Sequence, residues 1–301
     1  MSAEKSEAAA PPYPPNEHIY RDLGVLVERT KTDLFVSFPV VPEILDAAGR
    51  PRIGLLATIA DMAAGEEAIR ALYPQWVATS GLSVHAIDLP SRGRMRARSK
   101  LLRQGRTTVV LEVSLDHVPN EDEEKGSSIS PQSLEATQVG LSTVSMAILP
   151  ERRAAQEKIT WADEPVPRTE FARPDSGFDR PVLECLGIQF DASDPAKAQI
   201  GCAPYVLNTL GAIQGGIVSL FIEASAENFA SERLGRPVQV QSLQVHYLKL
   251  CRGESIRATV RETGSTRAGL LLRVELHDED QQGVLATVGD VLVEPWDRSP
   301  R

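Results

Sequence analysis

The chain is written twice. The stretch GLLATIADMAAGEEAIRAL, beginning at Gly54, matches GIVSLFIEASAENFASERL, beginning at Gly216, without a gap; the shift from 54 to 216 is 162 positions. Asp61 falls on Glu223, Ala64 on Ala226 and Leu72 on Leu234. Upstream, LDAAGRPRIG lines up with LNTLGAIQGG and pairs Gly49 with Gly211, and earlier still DLGVLV matches CLGIQF. Downstream, LSVHAIDLPSRGRMRAR runs against LQVHYLKLCRGESIRAT after one or two single-residue shifts. Repetition over this length means two copies of one structural unit.

Each copy has the same order: a short lead, a helix of about five turns, then runs with strand character. The second copy gives VQVQSLQVHYLKL, LLLRVELHD and VLATVGDVLVEP, alternating and rich in branched residues, with turn residues between them. The first gives LSVHAIDL, RMRARSKLL, TTVVLEVSLDHV and TQVGLSTVSMAIL. One helix followed by several antiparallel strands, twice, is an α+β pattern. The halves span 18–150 and 178–296. The acidic, Ser-rich segment 119–136 reads as a flexible loop inside the first half. Residues 151–177 read as a polar, Pro-containing linker. Residues 1–17, rich in Ala, Pro and charge, lack the basic start and apolar core of a signal peptide and read as a disordered arm.

Composition narrows the function classes. A net charge of −9 argues against a general nucleic-acid or membrane-surface binder. No run approaches the roughly 20 apolar residues of a membrane span, so a cytoplasmic location is the default. The three cysteines, Cys185, Cys202 and Cys251, are widely spaced and form no C-x-x-C pair, which fits small core residues of a reducing compartment. Five histidines include no H-E-x-x-H and no close cluster, so no metal site is expected.

Asp61 and Glu223 are the informative residues. Each carboxylate sits in an otherwise apolar helix, seven residues after the aligned glycine, Gly54 or Gly216. Seven residues are about 10 Å along a helix axis, too far for one helix to hold a reacting group between its own first amide and its own acid. If the two helices pack antiparallel about a pseudo-twofold axis, each acid comes beside the other helix's first turn. The cleft between them would hold free N–H groups, which favour developing negative charge, and a carboxylate from the other half. Such equipment suits attack on an acyl carbonyl. Taken alone, the glycines have a simpler explanation in close backbone packing or a tight turn. An acid inside an apolar helix can also satisfy a buried amide or pair with an arginine; because an unpartnered one is costly, two at repeat-equivalent positions put a functional role level with that structural one.

The spacing N-x(5)-Q-G-G-x(6)-E, running through Asn208, Gln214, Gly215, Gly216 and Glu223, resembles the N-x(5)-H-G-G-x(6)-D/E signature of hotdog-fold acyl-CoA thioesterases. The likeness is to the phenylacetate-pathway type, with 4-hydroxybenzoyl-CoA thioesterase as a relative. It extends over 183–294 and more weakly over 20–150. The resemblance implies two fused hotdog domains, each a long helix wrapped by an antiparallel sheet, imitating a homodimer within one chain. It implies hydrolysis of an acyl-coenzyme A to a free acid and coenzyme A, with no separate cofactor.

By the same resemblance, Gly216 supplies the N–H that polarises the thioester carbonyl, and Asp61, from the other half, acts as general base or nucleophile. Asn208 positions substrate or water, while Gln214, in place of His, and Gly215 complete the motif. The reciprocal site would pair Gly54 with Glu223, but Asp46 stands where Asn208 does, Ile53 replaces the first glycine, and Arg52 replaces Gln214. An ionised Asp46 cannot donate and would repel Glu223, so one competent site per chain is expected. Arg103, Arg106 and Arg267 are candidates for the phosphates of coenzyme A. The alternating Arg94, Arg96 and Arg98 read as a solvated strand face. His85 and His246, equivalent strand positions, read as structural.

Two other functions fit less well. A non-catalytic acyl-CoA-binding or regulatory protein would result if the first half had degenerated further. A hotdog hydratase would want a catalytic His beside the carboxylate, and neither helix carries one. Open sheet edges leave room for a homodimer or higher oligomer of double hotdogs.

Overall fold

Both long helices are too apolar to face solvent on more than a narrow side. The computed structural model of the chain describes residues 13–120, 136–149, 166–281 and 283–296. Among these residues lie α1 (Ile19–Asp22), α2 (Ile53–Leu72), α3 (Val182–Cys185) and α4 (Gly215–Leu234). Every residue from Ile53 to Ala60 in α2, and from Gly216 to Ala226 in α4, is buried. A helix buried all round needs neighbours all round. A sheet covers one side of each, and the two helices cover each other.

The strands are β1 (Leu26–Arg29), β2 (Leu34–Pro39), β3 (Trp76–Ala86), β4 (Arg94–Gln104), β5 (Thr108–Val118), β6 (Thr137–Leu149) and β7 (Arg168–Glu170). They continue with β8 (Gln189–Phe190), β9 (Lys197–Gly201), β10 (Val238–Tyr247), β11 (Ser255–Ser265), β12 (Leu270–Asp278) and β13 (Val284–Pro295). All belong to one sheet of order β7-β1-β2-β4-β5-β6-β3-β10-β13-β12-β11-β9-β8, and every neighbouring pair is antiparallel. From the β3–β10 seam outward, β3-β6-β5-β4-β2-β1 mirrors β10-β13-β12-β11-β9-β8. Ser83 lies opposite Gln244 at that seam. The LSVH/LQVH alignment equates these two residues, so like meets like across the join.

Period-two burial fixes which face the helices cover. On β12, Leu270, Leu272, Val274 and Leu276 are buried, and the residues between them turn outward. On β4, Met95 and Ala97 are buried while Arg94, Arg96 and Arg98 lie on the other face, as the alternation predicted. α2 packs on β2 to β6 and α4 on β9 to β13.

The helices cross with backbone against backbone. A Cβ on Gly54 would stand 2.3 Å from the Leu220 Cα, and one on Gly216 would stand 2.2 Å from the Thr58 Cα. Four residues forward on α2 correspond to four back on α4, so the pair is antiparallel.

Two boundaries differ from the sequence reading. Residues 1–12 lie outside the described part; in Tyr13–Glu17 only Pro14 is buried, but hydrogen bonds tie the segment to the fold. The end of the supposed linker also joins the fold: β7 pairs with β1. Arg21 ties both segments down. Its guanidinium donates to the Pro15 carbonyl at 2.6 Å, to Pro14 at 2.5 Å and to Phe171 at 2.9 Å. Three carbonyl contacts from one side chain are a signal that hydropathy patterns do not carry. Most of the predicted 119–136 loop, residues 121–135, and linker residues 151–165 lie outside the described residues.

Candidate active site

Antiparallel crossing brings each acid to the start of the opposite helix, and the two ends have different outcomes. At the start of α2, Glu223 accepts hydrogen bonds from the Ile53 N–H at 2.9 Å and the Gly54 N–H at 2.7 Å. The acid occupies the amides that a substrate oxygen would need. Arg52, the N-cap residue, turns to Glu227 at 2.5 Å, both side chains mostly shielded from solvent. Burial and the neighbouring Glu227 push the Glu223 carboxyl above its ordinary range, while Arg52 and the two N–H groups pull it back.

At the start of α4 the arrangement is open. Asp61 is one methylene shorter than Glu223 and does not reach the amides. Its Oδ1 accepts from the Thr79 hydroxyl at 2.6 Å. Its Oδ2 lies 2.8 Å from the point where a side chain on Gly215 would begin. No acceptor for the Gly215 or Gly216 N–H occurs among the described residues. Burial pushes the Asp61 carboxyl up to about 6, against the Thr79 hydrogen bond, which lowers it. Thr79 reaches the acid beside a bulge, where β3 loses register with β6 between Thr79 and Gly81.

Asp61, Asn208, Gln214 and Gly215 line one cavity of about 510 Å³ together with Met62, Gly65, Trp76, Thr79, Phe171 and Tyr247. Gly65 helps make this space, because its repeat counterpart is Glu227, which fills the closed end. The two motif glycines therefore divide their work. The Gly216 Cα packs against the crossing helix and the Gly215 Cα faces the acid, while the N–H groups of both stay without an acceptor among the described residues. Tyr247 fixes the Gly215 peptide from its other side: its hydroxyl donates to the Gly215 carbonyl at 2.8 Å.

Asn208 is partly committed elsewhere. Its Oδ1 accepts from the Leu210 N–H at 2.8 Å and the Ala212 N–H at 3.2 Å, holding the lead turn. Asp46 does the same in the first half, accepting from Ala48 and Arg50 at 2.9 Å each. It also pairs with Arg50 at 3.2 Å. Asp46 is thus held by its own turn and Arg50, while Glu223 takes the two amides at this end.

Arg103, Arg106 and Arg267 do not belong to this cavity. Arg103 is exposed on β4, and Arg106 and Arg267 are exposed in the turns after β4 and β11. Among the described residues the one cation lining it is Lys249, exposed between the exposed Leu248 and Leu250. His85 and His246 lie on the β3–β10 seam, away from the acid. Sequence reasoning missed Tyr13, Thr79, Tyr247 and Lys249. The repeat held a signal for two of them: Val240 stands in Thr79's place and Ala86 in Tyr247's.

A long helix pair against one antiparallel sheet fits the hotdog fold, and the solved structures it resembles include thioesterases. An acyl-ACP thioesterase from Bacteroides thetaiotaomicron superposes with a TM-score of 0.53 at 14% identity, over 86% of this chain and 97% of its own. The TesB protein of Mycobacterium avium subspecies paratuberculosis gives 0.54 at 10%, over 90% and 96%. The 12:0-ACP thioesterase from Umbellularia californica gives 0.53 at 9%, over 87% and 94%. No family model and no curated protein sequence matches the chain. At such identities the likeness carries the fold and leaves the chemistry to the site.

Proposed function

We propose that the chain is an acyl thioester hydrolase, built as two fused hotdog units with one working site at the start of α4. The supporting observation is the free Asp61 Oδ2 facing the uncapped first turn of α4 across a cavity. A thioester carbonyl placed there accepts from the Gly215 N–H, with the Gly216 N–H beside it, and the helix dipole adds to the same stabilisation. Asp61 Oδ2 withdraws a proton from water as that water adds to the carbonyl carbon. When the intermediate collapses, the C–S bond breaks and the thiolate takes the proton, leaving an acid and a thiol. The same oxygen could instead add directly to the carbonyl carbon and be released by water. The unused amide of Asn208 is available to hold water or substrate, and Lys249 meets the phosphates of a coenzyme A moiety at the rim. The motif spacing supports an acyl-CoA substrate of the phenylacetate-pathway type.

Purified protein offered a panel of acyl-CoAs, with thiol release followed for wild type and Asp61→Asn, tests the reading. Release that depends on Asp61 is expected. Tight binding without release in either protein would make it a binding module instead.

A further inference from the structure

An N-cap side chain with a free acceptor is the nearest competitor for the amides of its own helix. Gln214 is the N-cap of α4, yet it makes no such bond. Its Nε2 donates instead to the Tyr13 hydroxyl at 2.6 Å, across 201 residues of chain. That hydroxyl in turn donates to the Leu207 carbonyl, 3.3 Å away.

His18 completes the anchor. Its Nδ1 accepts from the Tyr20 N–H at 3.1 Å, so Nε2 carries the hydrogen and donates to the same Leu207 carbonyl at 3.0 Å. His18 is fully buried, and burial holds it below the ordinary imidazole value, which keeps it neutral. The Tyr13 ring meets His18 edge-on with centroids 5.2 Å apart and Tyr20 at 6.4 Å. Tyr13 is thus held by its ring and by its hydroxyl, and it lines the cavity beside Gln214.

We propose that Tyr13 is a positioning residue of this site: it draws the Gln214 side chain away from α4 and keeps the Gly215 and Gly216 N–H groups open to the substrate oxygen. The role rests on the thioesterase reading. The closed end shows what filling these amides does, since Glu223 already occupies those of Ile53 and Gly54. Without the Tyr13 hydroxyl, the Gln214 carbonyl oxygen is free to swing onto its own first turn and take the donors.

A double-mutant cycle tests this with wild type, Tyr13→Phe, Gln214→Ala and the double variant. Partial loss of the amide donors should lower kcat for Tyr13→Phe about tenfold and leave KM within about twofold. In the Gln214→Ala background, Tyr13→Phe should have no further effect on kcat, and unfolding midpoints should show the two positions coupled. An active wild type whose kcat is unchanged by Tyr13→Phe would overturn the proposal. So would the same loss in both backgrounds, or additive unfolding. A wild type that releases no thiol would overturn the hydrolase reading and this role with it.

Discussion

Glu223 grips two backbone amides, at 2.9 and 2.7 Å, that its repeat counterpart Asp61 leaves bare at the other end of the crossing. The two acids hold matching places on matching helices. One methylene of reach separates a carboxylate that fills its own anion site from one that faces an empty site. Neighbours reinforce the difference: Glu227 and Arg52 fill space at the closed end, and Gly65 and Gln214 leave it at the open end. The repeat has thus produced one structural site and one cavity.

Asp61 should control both activity and stability, with opposite signs. Its carboxyl sits at about 6 when folded against an ordinary value of 3.8. Between those values the folded state holds more protons than the unfolded one, so stability falls as pH rises through this window and levels off above it. Asp61→Asn should abolish most thiol release yet unfold later at pH 7, by an amount on the order of 2 kcal/mol. The gap between variant and wild type should shrink as pH falls from 6 to 4. Wild-type kcat/KM should rise with pH up to about 6, and Thr79→Val, which removes the hydrogen bond lowering that value, should move the rise to higher pH. Chemical denaturation and steady-state rates across this range check all three.

Adjacent glycines should fail differently. A methyl on Gly215 meets Asp61 Oδ2 at 2.8 Å, whereas a methyl on Gly216 meets the Thr58 Cα at 2.2 Å. A carboxylate can rotate aside and a helix backbone cannot. Gly215→Ala should therefore cost activity while unfolding close to wild type. Gly216→Ala should destabilise by roughly 3 kcal/mol or more, as overpacking at a backbone contact does. Thermal melts beside kcat/KM for the two variants separate the roles.

How much was legible follows from what a repeat can encode. Equivalent positions are visible in a linear alignment, so the helix pair, its antiparallel crossing and the meeting of each acid with the opposite helix start were all readable. The division of labour between Gly215 and Gly216 was not, because it depends on which Cα–H faces the neighbouring helix. Nor was the packing of Tyr13: a Pro-rich segment reads as disordered until Arg21 is seen holding its carbonyls. Arg103, Arg106 and Arg267 do not line the cavity: charge type indicates a phosphate partner but gives no location.

Glu223 should matter to the fold and not to the reaction. Replacing it by Gln leaves one acceptor for two buried amides and sets an NH2 donor where an acceptor stood. Glu223→Gln should unfold at lower denaturant, by about 1–3 kcal/mol, while the folded protein keeps the wild-type rate of thiol release. A rate that falls as steeply as it does for Asp61→Asn would mean that the α2 end is also a working site.

Lys249 should carry the charge dependence of substrate binding that the arginines do not. It is the only cation lining the cavity among the described residues, and Asp88 occupies its place in the half whose site is closed. A protein of net charge −9 repels a polyanion such as coenzyme A, so a single cation at the mouth weighs heavily at low salt. Lys249→Glu should raise KM for an acyl-CoA about tenfold at low ionic strength, with the effect fading as salt screens it. The same acyl group on a short, phosphate-free thiol should show no change in KM. Replacing Arg103, Arg106 and Arg267 together by Ala should leave both substrates unaffected. A KM shift from the arginine variant and none from Lys249→Glu would move the phosphate contact to the strand β4 end and the turns after β4 and β11.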